Sequence, residues 1–383
     1  MNILYHRYAE LITKKALKLK TGDVLSINTE ERHSAFAHLV SDIARSITGN
    51  GSYIQLIENG KVTHTEEAST DYPINKKASA LLYLQTIKSY PEAETHKVYS
   101  APELQSFRLL SDPLGNPIPS LPFVSAPMPS EEWGKLIDVE DGNENLVYEV
   151  LSDLLSLGED DYLEISDSRE GILQYECEKL NNLKLVRGRI TNEEGTDLSF
   201  EFLKGSEFKT TLETTSSSRK FIPSVFFSDI FRALDKTKTT GYLNITYPIS
   251  LFGNVLSNLS VSFENGRVSS FDADRTQGEL FNTYLQQDSQ AGTASMLTIA
   301  EDSNPAALIN MISYPEWDRM RGVAITIGGV KATSVDGNLL DMANDSLVTL
   351  NLPIGSDSTT ITVEDEAGNE YTIYEDGIII EEE

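Results

Sequence analysis

The chain has 383 residues, enough for two domains that each bury a core, and 31 basic residues stand against 59 acidic ones for a net charge of −28. That imbalance opposes non-specific binding to nucleic acid or an anionic membrane, so partners are expected to be neutral or basic. No apolar run approaches the roughly 20 residues of a spanning helix, Met1 to Lys20 is too interrupted by charge for a secretory segment, and the single cysteine, Cys177, excludes a disulfide framework or a cysteine-rich zinc site.

From Tyr5 to Leu19, apolar residues at Tyr8, Leu11, Ile12, Ala16 and Leu19 form a helical stripe that stops at Thr21-Gly22-Asp23. Val24 to Ile27 predicts a strand and Ser34 to Ile47 a second amphipathic helix, ended by Gly49, Asn50 and Gly51. Tyr53 to Ile57 predicts another strand, closed by Asn59-Gly60. Ala80 to Ile87 suits a buried strand and Pro122 to Ala126 one more, with Asp112 to Ser120 a proline-rich loop between them. Strands alternating with helices argue a mostly parallel sheet with covering helices. Ser130 to Ile137 reads as a capped helix, since Ser130 precedes Glu131, Glu132 and Trp133. An acidic link at Asp138 to Glu144 leads to a helix with Val147, Val150, Leu151, Leu154 and Leu155 on one face, and a further helix, Arg169 to Leu180, carries Cys177.

The texture then turns to β. Leu185 to Ile190, Leu198 to Leu203, Tyr242 to Ile245, Leu256 to Phe263, Arg267 to Phe271, Ala324 to Ile327 and Leu347 to Leu352 predict strands, and Tyr371 to Ile380 a last hairpin. Asn265-Gly266 between alternating runs is the strongest hairpin signal, with Asp336-Gly337 and Gly368-Asn369 behind it. The main helix expected in this half is Gly278 to Gln286. The expected architecture is α+β: a small α/β amino-terminal domain over residues 1–180 and a mostly β carboxy-terminal domain over 181–383.

In the stretch Asn344 to Gly355, Val348, Leu350, Leu352 and Ile354 alternate with Leu347, Thr349, Asn351 and Pro353, which puts Thr349 and Asn351 on one face of a strand. This segment resembles, without a gap, a motif of the aminopeptidase T and S family of two-metal exopeptidases: Asn-x-Ser-x-x-His-x-Asp followed by Gly, where His and Asp are metal ligands. Asn344, Ser346 and Gly355 keep the motif, whereas Thr349 and Asn351 stand at the ligand positions. Other landmarks follow in order: Tyr8 to Ile12, Lys20 to Ile27, Pro129 to Leu136, Gly195-Thr196-Asp197-Leu198, and the hairpin Leu259 to Asp274. The resemblance implies an aminopeptidase T-like fold and a homodimer enclosing a cavity through the carboxy-terminal domain.

It also implies where the family's metal site would fall. One ligand Glu corresponds to Asp229, or to Phe226 if no insertion is allowed after Pro223; a second falls near Ser295 or Met296. The family's His falls on Ala324, and a Tyr beside the metals falls near Lys331, whose charge would oppose a cation. At most one acidic ligand survives, and a two-metal centre needs several carboxylates and imidazoles to hold its cations close together. The histidines agree: they are His6, His33, His38, His64 and His96, so no imidazole follows position 96.

Several sharper readings give way to plainer ones. Asp272 and Asp274 share a strand face but read as a solvated strand end, and Glu301 and Asp302, with Asp318, as surface loop carboxylates. His33 and His38 are five apart and face different ways; Cys177 reads as an inert helical thiol. The expectation is a cytoplasmic, aminopeptidase-like protein that lacks peptidase activity and holds no cofactor, acting as a dimeric binding, scaffold or regulatory protein with a peptide or protein segment as ligand. The rival is an aminopeptidase using zinc or cobalt on displaced carboxylates such as Asp229, Glu301 and Asp302. A third reading places a different hydrolase in the old pocket.

Overall fold

A computed structural model of the chain describes residues 3–58, 61–68, 76–87, 119–245, 247–252, 254–309, 312–330, 335, 339, 341–355 and 358–380. The expected turns Asn59-Gly60 and Asp336-Gly337, and the loop residues 112–118, lie outside this set. The described residues divide into two units, one drawn from residues up to 87, 119–171 and 211–226, the other from 172–210 and 227–380.

The first unit opens with helix α1 (Ile3–Glu10), which continues as a π-helical turn over Leu11–Ala16 rather than as one uniform helix. The predicted stripe is nevertheless the buried one, with Tyr8, Leu11, Ile12 and Ala16 inside. Strand β1 (Leu25–Thr29) leads into α2 (Ser34–Thr48), stopped by Gly49 at φ +75°, a left-handed position that favours glycine. Strands β2 (Ser52–Glu58), β3 (Lys61–Ala68), β4 (Ala80–Thr86) and β5 (Phe123–Met128) complete a sheet of order β3-β2-β1-β4-β5. β1, β2, β4 and β5 are parallel, and β3 returns antiparallel to β2 at the edge. β3 was not foreseen: all its first five residues are exposed, so it lacks the apolar alternation of a half-buried strand. Helix α3 (Glu131–Leu136) is capped as expected, Ser130 Oγ accepting from Trp133 N at 3.1 Å. α4 (Glu144–Leu154) follows, then α5 (Tyr162–Asn182), which starts seven residues before the predicted Arg169.

The second unit holds two larger sheets. Its first strands are β6 (Leu185–Thr191), β7 (Asp197–Glu201) and β8 (Lys209–Thr210), while the short β9 (Glu213–Thr214) and β10 (Lys220–Phe221) belong to the first unit. Then come β11 (Ile230–Ala233), β12 (Thr240–Asn244), β13 (Ile249–Leu251), β14 (Asn254–Leu256), β15 (Ser260–Glu264) and β16 (Arg267–Asp272). Helix α6 (Arg275–Leu285), β17 (Ala294–Ile299), the short α7 (Pro315–Asp318), β18 (Val323–Gly328), β19 (Thr349–Gly355), β20 (Thr360–Asp365), β21 (Glu370–Glu375) and β22 (Ile378–Ile379) finish the chain. The expected single strand Leu256 to Phe263 is broken, because Asn258 takes a left-handed φ of +60° between β14 and β15. Asn265-Gly266, at φ +52° and +80°, makes the tight β15–β16 turn as predicted.

One sheet runs β16-β15-β12-β7-β6-β20-β21-β22, the other β19-β18-β17-β11-β8, and every described pairing in both is antiparallel. Every residue of β17 and β18 is buried. Strands buried on both sides lack alternation and read only as short apolar runs; β17 and β11, buried throughout, were missed for want of that signal, whereas β20 was missed although its buried Ile361 and Val363 alternate with partly exposed residues.

Candidate functional site

Directly paired residues of adjacent strands share a face, so the register of the β19-β18-β17-β11 sheet places the family positions. Asn351 pairs with Thr326, Thr326 with Met296, and Met296 with Ala233. Two residues along, Pro353 pairs with Ala324, Ala324 with Thr298, and Thr298 with Phe231. Thr349 pairs with Gly328 at the other end of the same face. Ser295 sits at the register shift between Ala294 and Met296 and donates from Oγ to Thr326 O at 3.2 Å, which leaves Met296 in the row with Asn351. Gly328 closes β18 at φ +90°, where a Cβ would meet Val348 O at 2.2 Å.

The side chains on this face bond to one another or to backbone. Thr326 Oγ1 donates to Asn351 Oδ1 at 2.9 Å, and Thr349 Oγ1 donates to Gly329 O at 2.8 Å. Met296 and Phe231 pack together with Val330 against them. Val348, Leu350, Leu352 and Ile354 are buried, as the alternation predicts. The strand itself starts at Thr349, two residues later than expected.

Asp229 immediately precedes β11 and is fully buried. Its Oδ2 lies 2.9 Å from Arg319 Nη1, and Arg319 Nη2 lies 3.5 Å from Glu316 Oε2. All three side chains are at most 4% exposed. The guanidinium stacks over the Phe231 ring at 4.9 Å. Beside it, Arg321 pairs with Asp318 at 3.5 Å and donates to Pro248 O at 2.9 Å. Burial holds the Asp318 carboxyl above the usual range, partly offset by Arg321 and by the backbone N–H of Ile312. Asp318 is thus not a surface loop carboxylate, which corrects the sequence reading. The signal was present in Pro315-Glu-Trp-Asp-Arg-Met-Arg321, where two acids flank a tryptophan and two arginines follow.

The alternative position Phe226 lies in the first unit, with Arg169 over its ring at 5.2 Å, while Asp229 lies in the second with Met296, Ala324 and Asn351. Lys331 and His96 are outside the described residues. Asp274 caps α6, accepting from Gln277 N at 3.0 Å. Glu301 Oε1 accepts from Ile379 N at 3.1 Å, and so is committed to the β22 backbone. Cys177 is buried, and burial, reinforced by the Asp229 carboxylate, pushes its thiol up to about 12. The described histidines all belong to the first unit: His33 bonds Thr86 Oγ1 at 2.9 Å, and His38 contacts Glu66 at 2.9 Å.

Among the described residues no group of three or more His, Cys, Asp or Glu side chains is arranged to hold a metal ion. The described donors are the hydroxyls of Thr298, Thr326 and Thr349 and the Asn351 amide on the face, with the Asp229 carboxylate, already paired with a guanidinium, just before β11. That set does not fit a paired-cation centre, which draws on carboxylates and imidazoles.

Residues 119–378 match the family model described as thermophilic metalloprotease (M29). Aminopeptidase 2 of Geobacillus stearothermophilus is 22% identical over 97% of this chain and 96% of its own length. Among solved structures, AmpT from Thermus thermophilus superimposes with a TM-score of 0.76 at 14% identity, covering 98% of this chain and 99% of its own. A 2,5-dihydroxypyridine dioxygenase from Pseudomonas putida KT2440 shares the fold more distantly, with a TM-score of 0.53, 10% identity, and coverage of 99% and 97%.

Proposed function

Because the chain belongs to the thermophilic metalloprotease (M29) family, we propose that it keeps an aminopeptidase-like scaffold without metallopeptidase activity. On this reading it is a dimeric binding, scaffold or regulatory protein that takes a peptide or protein segment in its cavity. The observation that carries the reading is the face holding Met296, Thr326 and Asn351 in one row and Ala324 in the next, with Asp229 already paired to Arg319. A two-metal peptidase lowers the pKa of a bridging water and polarises the scissile carbonyl, and both effects need cations held by several anionic or imidazole ligands. Alkyl, alcohol and amide groups supply neither the charge nor the ligand number.

A second reading, a metal-dependent aminopeptidase on displaced carboxylates, draws support from relatives that carry aminopeptidase names. One preparation separates the two. Purified protein is measured for zinc, cobalt and manganese, and for chelator-sensitive release of amino acids from peptides. The proposal expects neither; two tightly held metal equivalents per chain, or EDTA-sensitive release, would overturn it. Sedimentation at several protein concentrations tests the dimer.

A further inference from the structure

We propose that the first unit binds a small phosphomonoester in an open cavity on one face of its sheet, with Lys76 and Lys77 carrying the opposing charge. The cavity has a volume of about 490 Å³, inside the roughly 300 to 1,000 Å³ of ligand pockets. Four of its lining residues come from three neighbouring strands: Ser26 of β1, Tyr53 and Gln55 of β2, and Thr65 of β3. Ser26 pairs with Tyr53 and Gln55 with Thr65, and Tyr53 and Gln55 are two residues apart, so all four project from the same face. Leu25, Ile27 and Ile54 project from the opposite face and are buried. Strands of a parallel sheet are ordinarily apolar on both faces; here one face carries hydroxyl, amide and phenol groups where it opens into a cavity.

The charge in the cavity runs against that of the chain. Lys76 and Lys77 line it and none of the described lining residues is acidic, although acidic residues outnumber basic ones 59 to 31 overall. Glu67, opposite Tyr53 on the same face, does not line the cavity. Among the described residues, the two ammonium groups, the Ser26 hydroxyl and the Gln55 amide form no hydrogen bond or ion pair. The segment that carries the lysines is tied to the sheet at both ends. Tyr53 Oη donates to Lys76 O at 2.9 Å, while Ser79 N donates to Val24 O at 2.8 Å and Ser79 Oγ accepts from Val24 N at 3.0 Å. Lysine binds phosphate as a point charge on a flexible stem, whereas flat, bidentate recognition of a carboxylate falls to arginine. Two lysines with hydroxyl and amide donors around them therefore suit a tetrahedral dianion.

The test follows binding of phenyl phosphate by ligand-observed saturation-transfer NMR in 150 mM salt, with EDTA present so that no metal ion carries the anion. Salt suppresses diffuse electrostatic attraction. Wild type is expected to bind the probe saturably and to release it to inorganic phosphate but not to succinate. Lys76→Met/Lys77→Met is expected to lose at least tenfold in affinity. Lys184→Met/Lys204→Met, which removes the same charge from exposed positions of the second unit, should keep wild-type affinity. Lys76 and Lys77 are themselves exposed, so replacing them is expected to leave the urea midpoint unchanged. No saturable binding by wild type, or equal losses in the two double variants, overturns the proposal. Displacement by succinate as effective as that by inorganic phosphate overturns the assignment to phosphomonoesters. The outcome is independent of whether the second unit holds metal ions.

Discussion

Asn344 is the sharpest test of how the retained motif works, because its side chain bonds three backbone groups from a site that is 3% exposed. Its Nδ2 donates to Gln290 O and Thr293 O, each at 3.2 Å, and its Oδ1 accepts from Ser346 N at 2.9 Å. These bonds tie the approach to β19 to the turn before β17. Asn344→Ala deletes all three at a place where water cannot easily substitute. At about 0.5 to 1.5 kcal/mol net per bond, the expected loss over the three is about 1.5 to 4.5 kcal/mol. Urea unfolding followed by the fluorescence of buried Trp317, in a Trp133→Phe background, reads the second unit alone. The midpoint should fall with little change in slope. Leu347→Ala, three residues on and 46% exposed, serves as the control and should stay within about 0.5 kcal/mol. A loss under about 1 kcal/mol for Asn344→Ala would refute the claim that this asparagine holds the strand in place.

Two further outcomes follow from local chemistry. Gly266→Ala should lower the melting temperature by several degrees, because φ is +80° and the new Cβ would stand 2.0 Å from Lys236 O. Gly195→Ala, at φ +100° with nothing within 4 Å, should cost less, and equal melting shifts would refute the steric account. Cys177 should resist thiol reagents at pH 8 until the protein is unfolded, since burial raises its thiol to about 12. The unfolded chain releases that proton at about 8.5 while the folded chain keeps it. This contribution to stability is therefore whole below that pH and is lost as pH rises toward 12. Unfolding midpoints at pH 8, 9 and 10 should fall more steeply for wild type than for Cys177→Val; parallel slopes would refute it.

Much of the fold was legible because its elements announce themselves locally. The α2 stripe, the Ser130 cap and the Asn265-Gly266 turn each carry their signal within a few residues. What escaped depends on distant partners. β11 and β17 are short strands made stable by pairing with each other across more than sixty residues, and neither alternates. The exposed β3 has no apolar face to betray it. At the candidate site, the strand face of Thr349 and Asn351 could be read from parity alone. Arg319 could not, because its partner Asp229 lies ninety residues earlier in the chain and only the fold brings them together.

The same distinction separates what packing fixes in this sheet from what it leaves open. The apolar positions of β17, β18 and β19 are constrained on both faces by packing, since a change of even one methylene group is felt in a close-packed core. The polar row inside that packing obeys a looser rule: its charges must balance and its donors must find acceptors. Divalent cations satisfy that rule for a cluster of carboxylates, and a guanidinium satisfies it for a smaller one. Asp229 with Arg319, and Thr326 with Asn351, meet the requirement with side chains alone. A carboxylate placed at Asn351 would break this balance unless a cation came with it. Asn351→Asp by itself should therefore destabilise the second unit, by about 1 to 3 kcal/mol for a buried charge left facing Thr326. An unchanged urea midpoint for Asn351→Asp would mean that water or an ion already compensates charge on this face, and the balance drawn here would be wrong.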